Sequence, residues 1–221
     1  MSVKHHVSDG LLAAYATGEL AEGWSLAIAT HLALCPECRV RLARFETAAG
    51  ELMEETAPDV AGIDQSWDAM RRRLVGAEVH AFTVQPAVSA PVHTAVIPEP
   101  LRSYLGSDVD GLKWKALGRG ASHIMIKTGD GETSVRLLRI PAGSPVPEHS
   151  HGGRELTLVL AGCFTDGSER FARGDLEEAD ETVEHQPIAG AGEDCICLAV
   201  TDAPLRFKSR LLRLVQPILG I

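Results

Sequence analysis

The sequence predicts a multidomain α + β chain: a helical bundle, then a flexible linker, then a β-barrel of jelly-roll type. Three shifts in composition carry that prediction. From Ser8 to about Glu78 the text is rich in Ala, Leu, Glu and Arg, with only Pro36 and Pro58 as breaks. From Val79 to Pro100 the only charged side chain is Glu99, and four of the twelve prolines fall there. Pro, Ala, Val and Ser without periodicity read as an extended linker. After Leu101 come short β-like runs punctuated by Gly, Asp and Pro, the pattern of a barrel or jelly roll. The expected divisions are 1–78 for the helical part, 79–100 for the linker and 101–221 for the β part. A Pro-rich connection predicts few contacts across the boundary.

Ser8 and Asp9 are N-cap candidates ahead of Leu11, Leu12 and Tyr15. A second helix is expected from about Ala21 to Cys35, with Trp24, Ile28, His31 and Cys35 on one stripe. Pro36 suits the first position of a third helix carrying Cys38, Val40, Leu42 and Phe45. Trp67, Met70 and Leu74 recur at helical spacing and predict a fourth, and the run Arg71, Arg72, Arg73 reads as its solvated face. Strands are expected at Ala121–Thr128, Thr133–Ile140, Leu156–Ala161, Asp194–Thr201 and Leu205–Leu212. Turn signals at Thr128–Gly131 and Asp166-Gly167 separate some of them.

Charge narrows the function. Lys and Arg total 21 against 30 Asp and Glu, for a net charge of -9. Nucleic acids and anionic membranes demand a basic footprint, so neither is an expected partner. No apolar run approaches membrane-spanning length, and the first twenty residues lack the apolar core of a secretory signal. A cytoplasmic chain with reduced thiols is expected, and five cysteines, an odd count, do not describe a disulfide framework.

His31, Cys35 and Cys38 form H-x3-C-x2-C. One helical turn places His31 and Cys35 on a common face, and Cys38 follows Pro36 toward the same centre. Two thiolates and an imidazole are three ligands of a tetrahedral structural zinc site. The fourth is expected from the N-terminal pair, His6 first and His5 as the alternative. These residues resemble the zinc-binding anti-sigma factors, whose members hold extracytoplasmic-function sigma factors away from RNA polymerase.

The run from Gly143 to Gly162 reads G-x5-H-x-H-x3-E-x6-G, with His149, His151 and Glu155 at the chemical positions. On a strand, residues two apart face one side, so His149 and His151 converge, and Glu155 returns there after Gly152-Gly153. Imidazoles plus a carboxylate suit a divalent metal, with zinc, manganese, iron and nickel all compatible and zinc taken first. The run is similar to the first cupin motif. In the second motif, begun at Gly174, His185 fits the ligand position, but Asp180, Thr182 and Ala189 stand where Pro, Gly and Asn are usual. The acidic residues Glu177, Glu178, Asp180, Glu181 and Glu184 read as a solvated loop, with alternative metal ligands as the second reading. Cys195 and Cys197 face one side of a strand with Cα atoms about 6.5–7 Å apart, too far for an easy disulfide. They read as small core residues, with an oxidation-sensitive pair near the metal as the alternative.

The two motifs on one chain resemble the ChrR family of anti-sigma factors. The likeness runs through HHVSDGLLAAYATGEL, THLALCPEC, LMEETAP, ELTLVLAG, DCICLA, TDAPLRF and LVQP. It implies a zinc-stapled helical bundle joined to a cupin barrel, with no catalytic residues. It implies a one-to-one complex with a group IV sigma factor, released under oxidative stress, singlet oxygen included, through the cupin part. Trp24, Leu26 and Ile28 are offered as contact area for that partner. The alternative is a cupin metalloenzyme of dioxygenase or lyase type with a regulatory zinc domain.

Overall fold

The computed structural model describes residues 2–57, 61–76 and 95–208. Most of the expected linker, 79–94, and the end of the expected strand Leu205–Leu212 lie outside the described residues.

Helices α1 (Asp9–Thr17), α2 (Glu22–Leu34) and α3 (Pro36–Glu54) form the expected bundle. Gly18, in the left-handed region at φ 73°, ends α1 by donating its amide to the Ala14 and Tyr15 carbonyls. Cys35 serves both neighbours: it terminates α2, and its sulfur accepts the Cys38 amide at the start of α3, where Pro36 needs no donor of its own. Helix α4 (Ile63–Gly76) has an apolar stripe, yet none of its described side chains is buried. Among the described residues, no helix is long and apolar enough to cross a membrane.

The end of the expected linker is packed structure. Ile97 and Leu101 are fully buried, and α5 (Glu99–Leu105) already begins at Glu99. The Asp108 carboxylate accepts the amides of Val96 and Ile97, and Arg173 donates to the carbonyls of Ala95 and Val96. One hydrophobic helix turn thus replaces extended chain where Ile97 and Leu101 find a core.

The β part comprises β1 (Lys115–Gly118), β2 (Ala121–Ile126), β3 (Ser134–Ile140), β4 (His149–Ser150), β5 (Glu155–Ala161) and β6 (Cys163–Asp166). It continues with β7 (Glu169–Ala172), β8 (Leu176–Ala179), β9 (Glu184–His185), β10 (Ile188–Ala189), β11 (Cys195–Thr201) and β12 (Arg206–Phe207). All pairings are antiparallel. The large sheet runs β1-β2-β3-β11-β5-β8, and two three-stranded sheets, β10-β6-β7 and β12-β4-β9, complete a cupin-like sandwich. The expected closed barrel is not formed among the described residues, because the short strands β4, β9, β10 and β12 pair with each other or with β6 and never with the edges of the large sheet.

The central strands β5 and β11 are buried over six successive residues. Such runs belong to strands covered on both faces. On one face Leu156, Leu158, Leu160, Ile196, Leu198 and Val200 join Leu26, Ala27 and Ile28 of α2 in a single buried cluster. At about 1.5–3 kcal/mol for each fully buried aliphatic side chain, this contact dominates the packing of both parts. It replaces the expectation of few contacts across the linker. It also removes Trp24, Leu26 and Ile28 from the partner surface, since they are interior. The opposite face, with Arg136, Glu155, Thr157, Cys197 and Ala199, lines a cavity.

Polar latches frame the contact. The Glu22 carboxylate accepts the Tyr104 hydroxyl and the Gly129 amide, while the Glu22 amide donates to Asp130. Gly23 beside it has no room for a side chain: a Cβ there would lie 2.1 Å from Oγ1 of Thr133 and 2.6 Å from Cγ2 of Val135. Gly23→Ala is therefore expected to destabilise the protein by about 1–3 kcal/mol through overpacking. Urea unfolding followed by far-ultraviolet circular dichroism and tryptophan fluorescence should give one coincident, shifted transition. Separate transitions for helices and sheet would contradict the shared core.

Candidate metal centres

The N-terminal segment crosses the sandwich before α1 begins, and this placement builds the first centre. Asp175, buried after β7, accepts the amides of Lys4, His5 and Ala172, and the His5 carbonyl receives the Leu176 amide. Burial pushes the Asp175 carboxyl up, but the His5, Ala172 and Lys4 amides outweigh it and hold the group below the usual range. The chain bends at His5, and His5 and His6 meet different partners. His5 lies tilted against Phe171, ring centroids 4.2 Å apart, and faces Glu169 and Asp175. His6 meets the cysteines, its Nδ1 lying 3.3 Å from Sγ of Cys35 and 3.5 Å from Sγ of Cys38.

His6, His31, Cys35 and Cys38 each bring one ligand atom within 4.8 Å of the others. Their environment fits a metal. Neither nitrogen of the fully buried His31 ring has a hydrogen-bond partner, an arrangement that leaves a buried polar group unsatisfied unless an ion binds it. Burial lowers the His31 pKa to about 4, so its imidazole is neutral and free to coordinate. Burial and the adjacent Cys35 raise the Cys38 thiol to about 11, so binding a metal must displace a proton. Nε2 of His6 faces Glu37 at 3.4 Å, and Arg41 donates to Sγ of Cys38. The set can hold a metal ion.

The second centre lies between the sheets. Register pairs His149 with His185 across β4 and β9, and His151 follows just after β4. Nε2 of His185 sits 3.1 Å from Nε2 of His151 and 3.2 Å from Nε2 of His149, and all three residues are buried. Their other nitrogens are occupied in ways that aim Nε2 inward. Nδ1 of His149 donates to the Pro147 carbonyl, and Nδ1 of His185 donates to Asp166, both at 2.8 Å. Burial lowers the His149 pKa. Glu155 adjoins the trio at 3.5 Å from Nδ1 of His151, outside the convergence of the three Nε2 atoms. Burial pushes its carboxyl up, but His151, His149 and the Thr157 hydroxyl outweigh that and favour the ionised form.

Asp166 has no assigned role in the sequence pattern, and Glu177 enters it only as an alternative ligand; together with His185 they form a further group that could hold a metal. Glu177 is not on a solvated loop but on β8, its carboxylate 3.9 Å from His185. Burial, with Asp166 and Glu155 nearby, raises its pKa to about 8, so it keeps a proton at neutral pH. Of the other acidic residues, Glu178 accepts the Ser8 amide, while Asp180, Glu181 and Glu184 are exposed as expected. Cys195 and Cys197 are buried on the cavity side of β11. The hydrogen bond to Cys195 and burial both raise the Cys197 thiol well above its ordinary value.

A helical layer carrying a His/Cys set thus packs on a cupin-like sandwich carrying a His trio. A family described as the ChrR cupin-like domain matches residues 104–204. The anti-sigma-E factor ChrR of Cereibacter sphaeroides is 48% identical over 221 residues, covering 100% of both chains. The crystal structure of Rhodobacter sphaeroides SigE in complex with the anti-sigma ChrR aligns at 42% identity with a TM-score of 0.75, covering 90% of this chain and 99% of that one. The chain belongs to the ChrR family of anti-sigma factors. That membership makes it a regulator and sets the metalloenzyme alternative aside.

Asp175 positions His6 without touching the centre, so its loss should register there. Asp175→Ala is expected to weaken metal retention at the His6 set about tenfold or more, as measured by competition with a chromogenic chelator. Retention equal to that of the unmodified chain would show that His6 needs no such clamp.

Proposed function

We propose that this chain binds an extracytoplasmic-function sigma factor of group IV one to one in the cytoplasm and blocks its access to RNA polymerase. The observation that carries the reading is the full-length similarity to an anti-sigma-E factor, joined by alignment with a chain solved in a SigE complex. The net charge of -9 supports a basic protein partner rather than nucleic acid. The apolar stripe of α4 supplies a contact surface: Trp67 is 59% exposed and Leu74 62%, with Met70 between them. Apolar side chains repeated along an uncovered helix are suited to burial against a partner.

The His6, His31, Cys35, Cys38 set would hold zinc, since two sulfurs and two imidazoles match its tetrahedral preference. Zinc there would contribute folding energy by tying the N-terminal segment to the α2–α3 junction. His149, His151 and His185, with Glu155 adjoining, would hold a second divalent ion, zinc first. Release under oxidative stress, singlet oxygen included, is assigned to the β part by the family resemblance. The core shared by sheet and helices supports it as a route for a change in one part to reach the other.

Elemental analysis of the full chain is expected to find two metal ions per molecule. Cys35→Ser should lose the zinc of the helical centre, part of the helical circular dichroism and sigma binding together. A folded, zinc-free, fully inhibitory Cys35→Ser protein would refute the structural role.

Trp67→Glu combined with Leu74→Glu places two charges on α4 without touching the core. Coexpression with a sigma factor encoded beside this gene, followed by titration of the purified partners, should show binding weakened about tenfold or more at unchanged melting temperature. Undiminished affinity would place the contact surface elsewhere.

A further inference from the structure

We propose that the cavity beside the His trio binds a small molecule with an apolar body and a single carboxylate, anchored on Arg136. The site needs neither the sigma factor nor a metal. The cavity measures about 800 Å³, within the range of small-molecule sites. One row across the large sheet forms its floor: Met125, Arg136, Ala199, Thr157 and Glu177 are successive register partners on β2, β3, β11, β5 and β8. The space exists because the middle of that row is small, Ala199 and Thr157, between two long side chains. Leu138, Ile140 and Phe164 supply apolar wall.

Arg136 is the group that the fold leaves unbalanced. It is only 8% exposed and lines the cavity. Its Nε donates to Oγ of Ser134 and its Nη1 to Nδ1 of His123, each at 3.3 Å. Neither partner is anionic, and burial together with Arg136 itself lowers the His123 pKa. Among the described residues the arginine ion pairs involve Arg41, Arg71, Arg102 and Arg139, not Arg136. A buried cation without a counter-ion is unfavourable, and an anion entering the cavity relieves it. The planar guanidinium fork matches a carboxylate. The far end of the row decides how many anionic groups fit. Two acidic side chains, Glu155 and Glu177, line the cavity there, Glu177 three strands or about 14 Å from Arg136, and neither offers a second anionic group a cationic partner. The ligand is therefore a monocarboxylate whose remainder is apolar.

The test is calorimetric titration of the full-length protein with octanoate, against 1-octanol as the uncharged probe of equal length. Octanoate should bind once per chain, and octanol about tenfold or more weaker. Arg136→Gln should weaken octanoate about tenfold, Arg136→Lys should recover part of the loss, and His149→Ala with His151→Ala should leave octanoate binding in place. Leu138→Trp, which fills the cavity and spares Arg136, should block octanoate and decides the matter if Arg136→Gln fails to fold. Melting curves establish that each variant is folded. Equal affinity for the two probes, no octanoate binding at about millimolar concentration, or binding indifferent to Arg136→Gln or to Leu138→Trp would each overturn the proposal. Loss confined to the His149 and His151 variant would place the carboxylate on the metal centre and overturn it equally.

Discussion

The large sheet must be covered on both faces, and the rest of the molecule follows from how that is done. β5 and β11 present aliphatic side chains at every second position to α2 and polar or small ones to the interior of the sandwich. Successive residues of a strand point to opposite sides, so Leu156 and Leu198 pack on helices while Glu155 and Cys197 face the cavity. A one-residue slip in either strand would exchange the two sets and destroy both the helix contact and the cavity. The regulator is therefore built back to back on a shared sheet.

The same arrangement ties the helical centre to the β part through the N-terminal segment. His6 belongs by sequence to the helical part, but the backbone just before it, at Lys4 and His5, is held by Asp175 and Leu176 of the sandwich. Gly174, at φ 93°, lies against Val3, where a Cβ would come within 2.7 Å of that side chain. Only glycine adopts this backbone at such close approach without strain. The helical centre thus borrows its geometry from a turn of the β part, and a displacement of that turn moves a ligand. A change in one part can reach the other only where both share a packed element of this kind.

Burial sets the chemistry of both centres. His31 and His149 are held neutral by desolvation, which suits imidazole for coordination. Where carboxylates are buried, their states diverge with their neighbours: Glu155 beside imidazoles favours ionisation, and Glu177 beside carboxylates keeps its proton. The Cys195–Cys197 pair shows the same logic, since a thiol raised by burial and by its neighbour is a poor nucleophile. Orientation by outer partners, Pro147 for His149 and Asp166 for His185, turns one nitrogen of each ring inward.

Much of this was legible in the sequence because it depends on local spacing. H-x3-C-x2-C places its ligands within two helix turns, and H-x-H works through the alternation of a strand, so the chemistry of both centres is written in short runs. The bounds of α2, the start of α3 at Pro36 and the existence of α4 follow from Pro36 and from helical periodicity for the same reason. The choice between His5 and His6 was not legible, because a segment before the first helix has no periodicity, and Asp175 decides its register. Trp24, Leu26 and Ile28 could not be sorted into core or surface, since an apolar stripe records that something covers it and not what does. The Pro-rich text read as a linker up to Pro100, yet Ile97 and Leu101 are buried by partners distant in the chain. Arg136, Asp166 and Glu177 carry no spacing signature. They acquire meaning only when β3, β6 and β8 are brought around one space, and that is the work of tertiary packing.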